Sequence, residues 1–342
     1  MPQDFSGASA SRDSYPAVAE FVHASVLARE VIEALSPQDH GVYVDGTLGG
    51  AGHAKLLLDR APAASLIGID RDPLAVAAGR SVLAGFSHAR VVHGEYDELP
   101  RILGELGVGS VNGILLDLGV SSPQLDMPER GFSFARPGPL DMRMDPTRGL
   151  TALELMRTTF VDDLADLLFT LGEERHSRKI AQLIKEALDA DTLHTTTDLA
   201  RVVAAAIPMV EQRKSKIHPA TRTFQALRIA VNGELDQLAH FLAGFPELLA
   251  PGGRCAIISF HSLEDRLVKQ RFRELSWTSS LPPHLAERAG ERVQPVCELV
   301  TRKAIVASDA EIEANPRARS ARLRVCARTE APNVASGNPA RN

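Results

Sequence analysis

The chain has 342 residues and a formal net charge of −5, with 44% hydrophobic and 24% charged residues. These values are ordinary for a globular protein and exclude a polycation, so nucleic-acid binding would need local basic patches. Three widely spaced cysteines argue against a disulfide framework or a zinc site, and no apolar run reaches the roughly 20 residues that span a bilayer. The segments 1–22 and 331–342 are predicted to be disordered tails without a signal peptide, so we expect a cytoplasmic protein.

Strands and helices alternate through the first third of the chain. After a helix at 26–35, strands are predicted at 41–45, 65–70, 90–93 and 112–118, with helices between them. A further strand is predicted at 254–260 after a turn at Pro251, and the runs 297–306 and 320–329 form a predicted closing hairpin. This alternation predicts an α/β fold with a doubly wound, mostly parallel, Rossmann-like sheet.

The middle of the chain has a different pattern. Helical periodicity without a convincing strand runs from 149 to 208, and 222–249 is predicted to be one long amphipathic helix. We therefore expect a discontinuous α/β domain, residues 23–135 and 219–330, with an inserted all-α domain at 136–218.

Three features place a candidate ligand site at the carboxyl ends of the strands, where open α/β sheets bind ligands. A glycine-rich turn, GTLGGAG, follows the first strand from Gly46 to Gly52. Asp70 ends the second strand, where a carboxylate can accept both hydroxyls of a ribose. Asp117 ends the fourth strand and precedes a loop rich in glycine, serine and proline. Together they indicate a nucleoside cofactor, although each alone also fits an ordinary strand end.

The sequence of this glycine-rich turn favours one class of cofactor over others. Its GxxGGxG spacing is neither the GxGxxG of dinucleotide-binding proteins nor a P-loop. Asp45 precedes the glycines, and a carboxylate there suits a cation better than a pyrophosphate. S-adenosylmethionine carries a sulfonium and an amino group, so it is the favoured cofactor. Tyr96, after the third strand, is placed to stack on adenine or simply to pack.

Long strings of this sequence resemble the bacterial 16S rRNA (cytosine-N4)-methyltransferase family, RsmH, also called MraW. They include VDGTLGGAGH, IGIDRDP, ILLDLGVSSPQLD, GPLDMRMDP, HPATRTFQALRI, ISFHSLEDR and NPRARS, in family order across residues 23–330. The resemblance implies a class I fold dependent on S-adenosylmethionine. It also implies methylation of N4 of one cytidine, position 1402, at the decoding centre of the small ribosomal subunit.

Carried over residue by residue, the family motifs imply a set of cofactor contacts: Ala51, Gly52, His53, Asp70, Tyr96, Asp117 and Gln124. Two positions depart from the family pattern. Ala51 stands where members often have glycine, which slightly limits the backbone there. Tyr96 stands where phenylalanine is common and keeps the stacking face.

The substrate side is predicted from chemistry and charge. Cytosine N4 is a weak nucleophile that needs positioning and a proton acceptor, and we assign this role to Asp117 and Ser122. Phe132 is a candidate to stack on an extruded base, with core packing as the alternative. Candidate contacts to RNA are Arg136, Arg143, Arg222, Arg317 and Arg319, although a solvated basic face explains them equally well. No residue spacing suggests a metal site.

Three other functions remain open from the residues alone. A methyltransferase could act on another amine, in DNA or a small molecule. A nicotinamide oxidoreductase is disfavoured by the glycine spacing and by Asp45. A non-catalytic ribosome assembly factor could retain the same cofactor fold. The oligomeric state is not encoded in any pattern that we find.

Overall fold

Seven strands form one sheet in the computed structural model, which describes residues 25–277, 281, 285, 289 and 295–331. The strands are β1 Val42–Asp45, β2 Ser65–Asp70, β3 Ala89–His93, β4 Val111–Asp117, β5 Leu249–Ser259, β6 Cys297–Leu299 and β7 Arg322–Arg328. Their order is β3-β2-β1-β4-β5-β7-β6, and all pairs from β3 to β5 are parallel, whereas β7 is antiparallel to both neighbours. The predicted doubly wound, mostly parallel sheet is confirmed. The predicted tails lie outside the described residues, apart from Ala331.

Helices pack on both faces of this sheet. Outside the middle segment they are α1 Ala28–Leu35, α2 Gly52–Arg60, α3 Pro73–Val82, α4 Leu99–Glu105, α5 Ser122–Asp126, α12 Glu234–Leu248, α13 Ser262–Leu275 and α14 Asp309–Ala314. On β4, Leu115 packs into the hydrophobic cluster that contains α1 and α2, whereas Ile114 and Leu116 pack with α4, α12 and α13. The strand is therefore buried on both faces, which explains its continuous apolar sequence.

The C-terminal part of the sheet differs in detail from the prediction. The turn predicted at Pro251 is an irregularity within β5, because Val111 pairs with Leu249 and Gly113 with Arg254. The predicted closing hairpin holds only as the antiparallel pairing of β6 with β7, because α14 separates these strands along the chain.

Between α5 and α12 the regular structure consists of helices and one isolated bridge, with no extended strand, as expected for an all-α insertion; the bounds 136–218 stay a prediction. Its helices are α6 Ala152–Thr158, α7 Val161–Gly172, α8 Ser177–Asp189, α9 Thr196–Ala206, α10 Met209–Lys214 and α11 Thr221–Asn232. All of them except α10 contribute to a third hydrophobic cluster, whose buried members run from Phe132 to Leu227.

The single long helix predicted at 222–249 is wrong. The chain breaks at Gly233, which has a φ of 60° between α11 and α12. Leu227 on α11 packs in the cluster of the insertion, whereas Leu238 on α12 packs against the sheet. Because the two helices pack in different hydrophobic clusters, one straight helix could not bury both sets of apolar residues. Glycine adopts the left-handed conformation that ends α11.

Within the described residues, no helix is both long enough and apolar enough to cross a membrane. The three cysteines, Cys255, Cys297 and Cys326, are buried and unpaired, as core residues would be.

Candidate active site

A single cleft at the carboxyl ends of β1, β2 and β4 contains the glycine turn. The Gly46 N–H donates to the Leu115 carbonyl of β4 at 2.9 Å, and the Leu48 N–H donates to the Ile69 carbonyl of β2 at 2.9 Å. The turn is thereby attached to both neighbours of β1. A Cβ on Gly46 would lie 2.5 Å from Leu116 Cδ2, so a larger residue would force the buried Leu116 side chain or the turn to shift.

Ala51 ends the turn with a φ of 60°, in the left-handed region that glycine adopts most easily. Its methyl group is fully buried in the hydrophobic cluster of α1 and α2, and the side chain does not line the cleft. The next two residues, Gly52 and His53, do line it. Ala51 therefore shapes the entry into α2 through its backbone.

Asp70 faces the cleft from the end of β2. Its Oδ2 accepts the Gly49 N–H and its Oδ1 accepts the Asp72 N–H, both at 2.8 Å. Burial raises the pKa of Asp70 to about 6, although these two N–H groups favour the charged form. The carboxyl group is thus held in one orientation beside the turn, with lone pairs left to receive hydroxyl groups.

Asp117 faces the same cleft from the end of β4. Its N–H donates to Thr47 Oγ1 at 2.6 Å, which connects β4 to the glycine turn. Its Oδ1 is buried and has no hydrogen-bond partner among the described residues. Burial, with Glu264 adding to it, raises the pKa of Asp117 to about 7. A carboxyl group with this pKa and a free acceptor atom can take up a proton near neutral pH.

His53 lies next to Asp117 and is almost fully buried. Its Nε2 must carry the proton that bonds the Val26 carbonyl at 2.9 Å, because a carbonyl only accepts. Burial lowers the pKa of His53, so the ring is neutral and its Nδ1 is an acceptor, 3.7 Å from Asp117 Oδ2. His53 therefore lines the cleft as an uncharged side chain.

Asp45 was expected to face the ligand, but it does not. It is 3% exposed and lies behind the glycine turn, where it accepts the Thr47 N–H at 3.3 Å. Two ion pairs, Arg71–Glu95 at 2.7 Å and Arg228–Glu234 at 2.8 Å, reach the cleft lining. The lining thus includes three acids that the sequence patterns did not single out: Glu95, Glu234 and Glu264. They follow β3, begin α12 and lie in α13, so only the fold brings them together.

Gln124 lines the cleft but is itself held by a buried ionic cluster. Its Nε2 donates to Asp72 Oδ2 at 3.0 Å, and its Oε1 accepts the Ser121 N–H at 3.0 Å. Arg130 donates to the same Asp72 oxygen at 2.8 Å and to the carbonyl of Met144 at 2.9 Å. Asp72 also caps α3 by accepting the Leu74 N–H at 3.0 Å, and no local sequence signal pairs it with Arg130, 58 residues away. This cluster joins the cleft to the helical insertion.

Tyr96 also lines the cleft, with its ring edge-on to Phe241 at a centroid distance of 5.7 Å. Ser122 lies at the start of α5, and its Oγ accepts a hydrogen bond from Arg317. A second guanidinium nitrogen of Arg317 contacts Asp126 Oδ1 at 2.7 Å. The 3-10 turn Pro316–Ser320 is thereby attached to both ends of α5 and adds Arg317 to the cleft.

The other predicted substrate residues do not line this cleft. Phe132 is 7% exposed and packs in the insertion, 5.8 Å from the Arg130 guanidinium. Arg143 binds Asp141 through two bonds of 2.8 and 2.7 Å. Three more are directed elsewhere: Arg136 bonds the Asp126 carbonyl, Arg222 bonds the Glu173 carbonyl, and Arg319 lies in an adjacent groove.

The model of the MraW methylase family matches residues 20–329 of this chain. The chain belongs to the MraW methylase family. It is 52% identical over 307 residues to the ribosomal RNA small subunit methyltransferase H of Sorangium cellulosum (strain So ce56), covering 90% of each chain. The enzyme of the same name from Anaeromyxobacter sp. (strain Fw109-5) is also 52% identical over 307 residues, which cover 89% of this chain and 97% of that one.

Solved structures that align with this chain are more distant. TrmN from Thermus thermophilus has a TM-score of 0.39 and 14% identity, covering 88% of this chain and 48% of that one. The family assignment therefore rests on the sequence relatives. In the described part of the chain, no three His, Cys, Asp or Glu side chains are grouped to hold a metal ion.

Proposed function

We propose that this protein transfers a methyl group from S-adenosylmethionine to N4 of a cytidine, position 1402 at the decoding centre, in 16S rRNA of the small ribosomal subunit. The names of its relatives support small-subunit rRNA as the substrate, and the resemblance to the N4-specific family supports the cytidine. One observation carries the chemistry: the half-buried carboxyl group of Asp117 has an unpaired oxygen at the cleft. The cytoplasm is the proposed location.

The residues of the cleft fit S-adenosylmethionine. The glycine turn allows close approach of a ligand to the backbone, and Asp70 offers a carboxylate to ribose hydroxyls. Five carboxyl groups line the cleft against two guanidinium groups, those of Arg71 and Arg317, and this excess of acids complements a sulfonium and an ammonium group. When bound, the cofactor supplies a methyl group that is already activated by the positive sulfur.

The protein must therefore position the amine and accept its proton. Positioning two reactants can lower a barrier by roughly 7–11 kcal/mol, and a placed proton acceptor adds roughly 10²–10⁴-fold in rate. We assign acceptance of the proton to Asp117 Oδ1. Ser122, oriented by Arg317, lies at the same loop and offers a hydroxyl to the amine. Because His53 is neutral, it places no positive charge near the sulfonium of the methyl donor.

We also propose that the helical insertion binds the RNA. The sequence places this unit at residues 136–218, between the two parts of the α/β domain, and its shared hydrophobic cluster extends through α11. The Asp72–Arg130 cluster gives it a rigid connection to the cleft.

The test is transfer of labelled methyl to small ribosomal subunits from a strain that lacks this protein. Naked 16S rRNA, transfer RNA and DNA serve as parallel acceptors, and mass spectrometry identifies the modified nucleoside. We expect N4-methylcytidine in small-subunit RNA alone. Label in another acceptor would refute the rRNA assignment. No label despite measured binding of S-adenosylmethionine would refute catalysis and favour an assembly factor.

A further inference from the structure

A second groove opens beside the active-site cleft and shares Phe260 with it. It encloses about 490 Å³ between the start of α13 and the segment that leads into β7. Four cationic side chains line it: Arg266, Lys269, Arg319 and Arg322. Lys269 and Arg322 are far apart in sequence, so no local charge pattern identifies this groove.

The positive charge of the groove is not neutralised within the described part of the chain. Its acidic lining residue, Asp265, is bound by Arg324 through two bonds of 2.7 and 3.1 Å. Arg266 contacts Glu173 at 3.2 Å. Lys269, Arg319 and Arg322 have no ion pair with any described residue. Three uncompensated cations in a chain of net charge −5 create a local field that attracts an anion.

The strand register places this groove next to the reacting end of the cleft. Asp117 of β4 pairs with Ile258 of β5, and Ile258 pairs in turn with Leu323 of β7. Arg322 precedes Leu323, so its backbone lies two strands from Asp117, a distance of about 10 Å. The 3-10 turn Pro316–Ser320 also spans both sites, because Arg317 lines the cleft and Arg319 lines the groove.

We propose that this groove binds the phosphodiester backbone of the RNA strand that flanks the methylated nucleotide. The inference rests on the proposed function, since that function makes RNA the substrate. Lys269, Arg319 and Arg322 contact phosphates, and the exposed Val306 gives the groove an apolar side against which a sugar or base packs. Such contacts orient the strand over Asp117 without reading its sequence.

The experiment compares two charge-matched double variants of the full chain. Lys269→Gln with Arg319→Gln removes two cations from the groove. Arg60→Gln with Arg90→Gln removes two exposed cations from α2 and from β3, at the opposite edge of the sheet. Fluorescence anisotropy measures the Kd for a fluorescein-labelled single-stranded RNA carrying the sequence around the target, across a series of salt concentrations. Calorimetry measures the Kd for S-adenosylmethionine.

We expect the groove variant to bind RNA about 25-fold more weakly than the control variant at ~0.1 M salt, because each lost contact removes about 0.7 from the log–log salt slope. Binding of S-adenosylmethionine should be unchanged in both variants. Equal Kd values and slopes for the two variants, or no RNA binding by the unsubstituted protein, would overturn the proposal. If the groove effect appears but no acceptor is methylated, the groove stands and the proposed function fails.

Discussion

Replacing Asp45 with Asn should stabilise the protein increasingly as the pH rises from about 4, with the full effect above pH 7. Asp45 lies buried behind the glycine turn, and its burial raises the pKa of the carboxyl group from 3.8 to about 7. Between these two values the folded protein holds a proton that the unfolded chain releases, so stability falls as the pH rises. Asn keeps an oxygen for the Thr47 N–H and removes the buried charge.

The size of this effect follows from the pKa shift. A shift of about three pH units corresponds to about 4 kcal/mol of unfolding free energy, at 1.36 kcal/mol per unit. The variant should exceed the natural protein by up to that amount at pH 8, and the difference should vanish near pH 4. Urea unfolding followed by circular dichroism at intervals between pH 4 and pH 8 measures it.

Asp39→Asn is the matched control, because Asp39 is an exposed acid that also accepts a backbone N–H, from Ala63 at 3.0 Å. Its stability difference should be small at every pH. A variant at Asp45 that is less stable at pH 8, or whose gain does not change with pH, would show that Asp45 is not a buried charge held at energetic cost.

Three further substitutions test the site. Asp117→Asn should lower the rate of methyl transfer by about 10²–10⁴-fold. It should also abolish the roughly tenfold rise in kcat/KM between pH 6 and pH 8 that a pKa of about 7 implies for Asp117. Unchanged turnover would exclude Asp117 as the proton acceptor. Arg130→Met leaves a buried carboxylate without its cation, so urea unfolding should show a loss of about 3–5 kcal/mol, and a loss below 1 kcal/mol would contradict the buried pair. Gly46→Ala places a methyl 2.5 Å from a leucine side chain and should cost about 1–3 kcal/mol, whereas Gly50→Ala, which meets open space, should melt nearly as the natural protein does.

The sequence determines the sheet and the edge at which the candidate site lies. Apolar runs such as ILLD indicate strands that are buried on both faces of the sheet. Because the strands are parallel, their carboxyl ends lie at one edge, which brings Asp70 and Asp117 together there. Periodicity predicted the helices of the insertion, but it could not reveal the break at Gly233. The apolar residues on both sides of Gly233 follow one helical pattern, but those of α11 pack in the insertion and those of α12 pack against the sheet. Only the tertiary structure shows this division.

The tertiary structure decided the electrostatics of the site. Sequence charge grouped the arginines by their position along the chain, yet Arg143 is ion-paired with Asp141, Arg317 binds α5, and Arg319 lines a groove with Lys269. Asp45 and Asp117 both end strands, yet one is buried behind the turn and the other faces the cleft. Burial and charge pairing arise from contacts between distant segments, so a linear pattern can name the residue types but not the environments that set their charge and role.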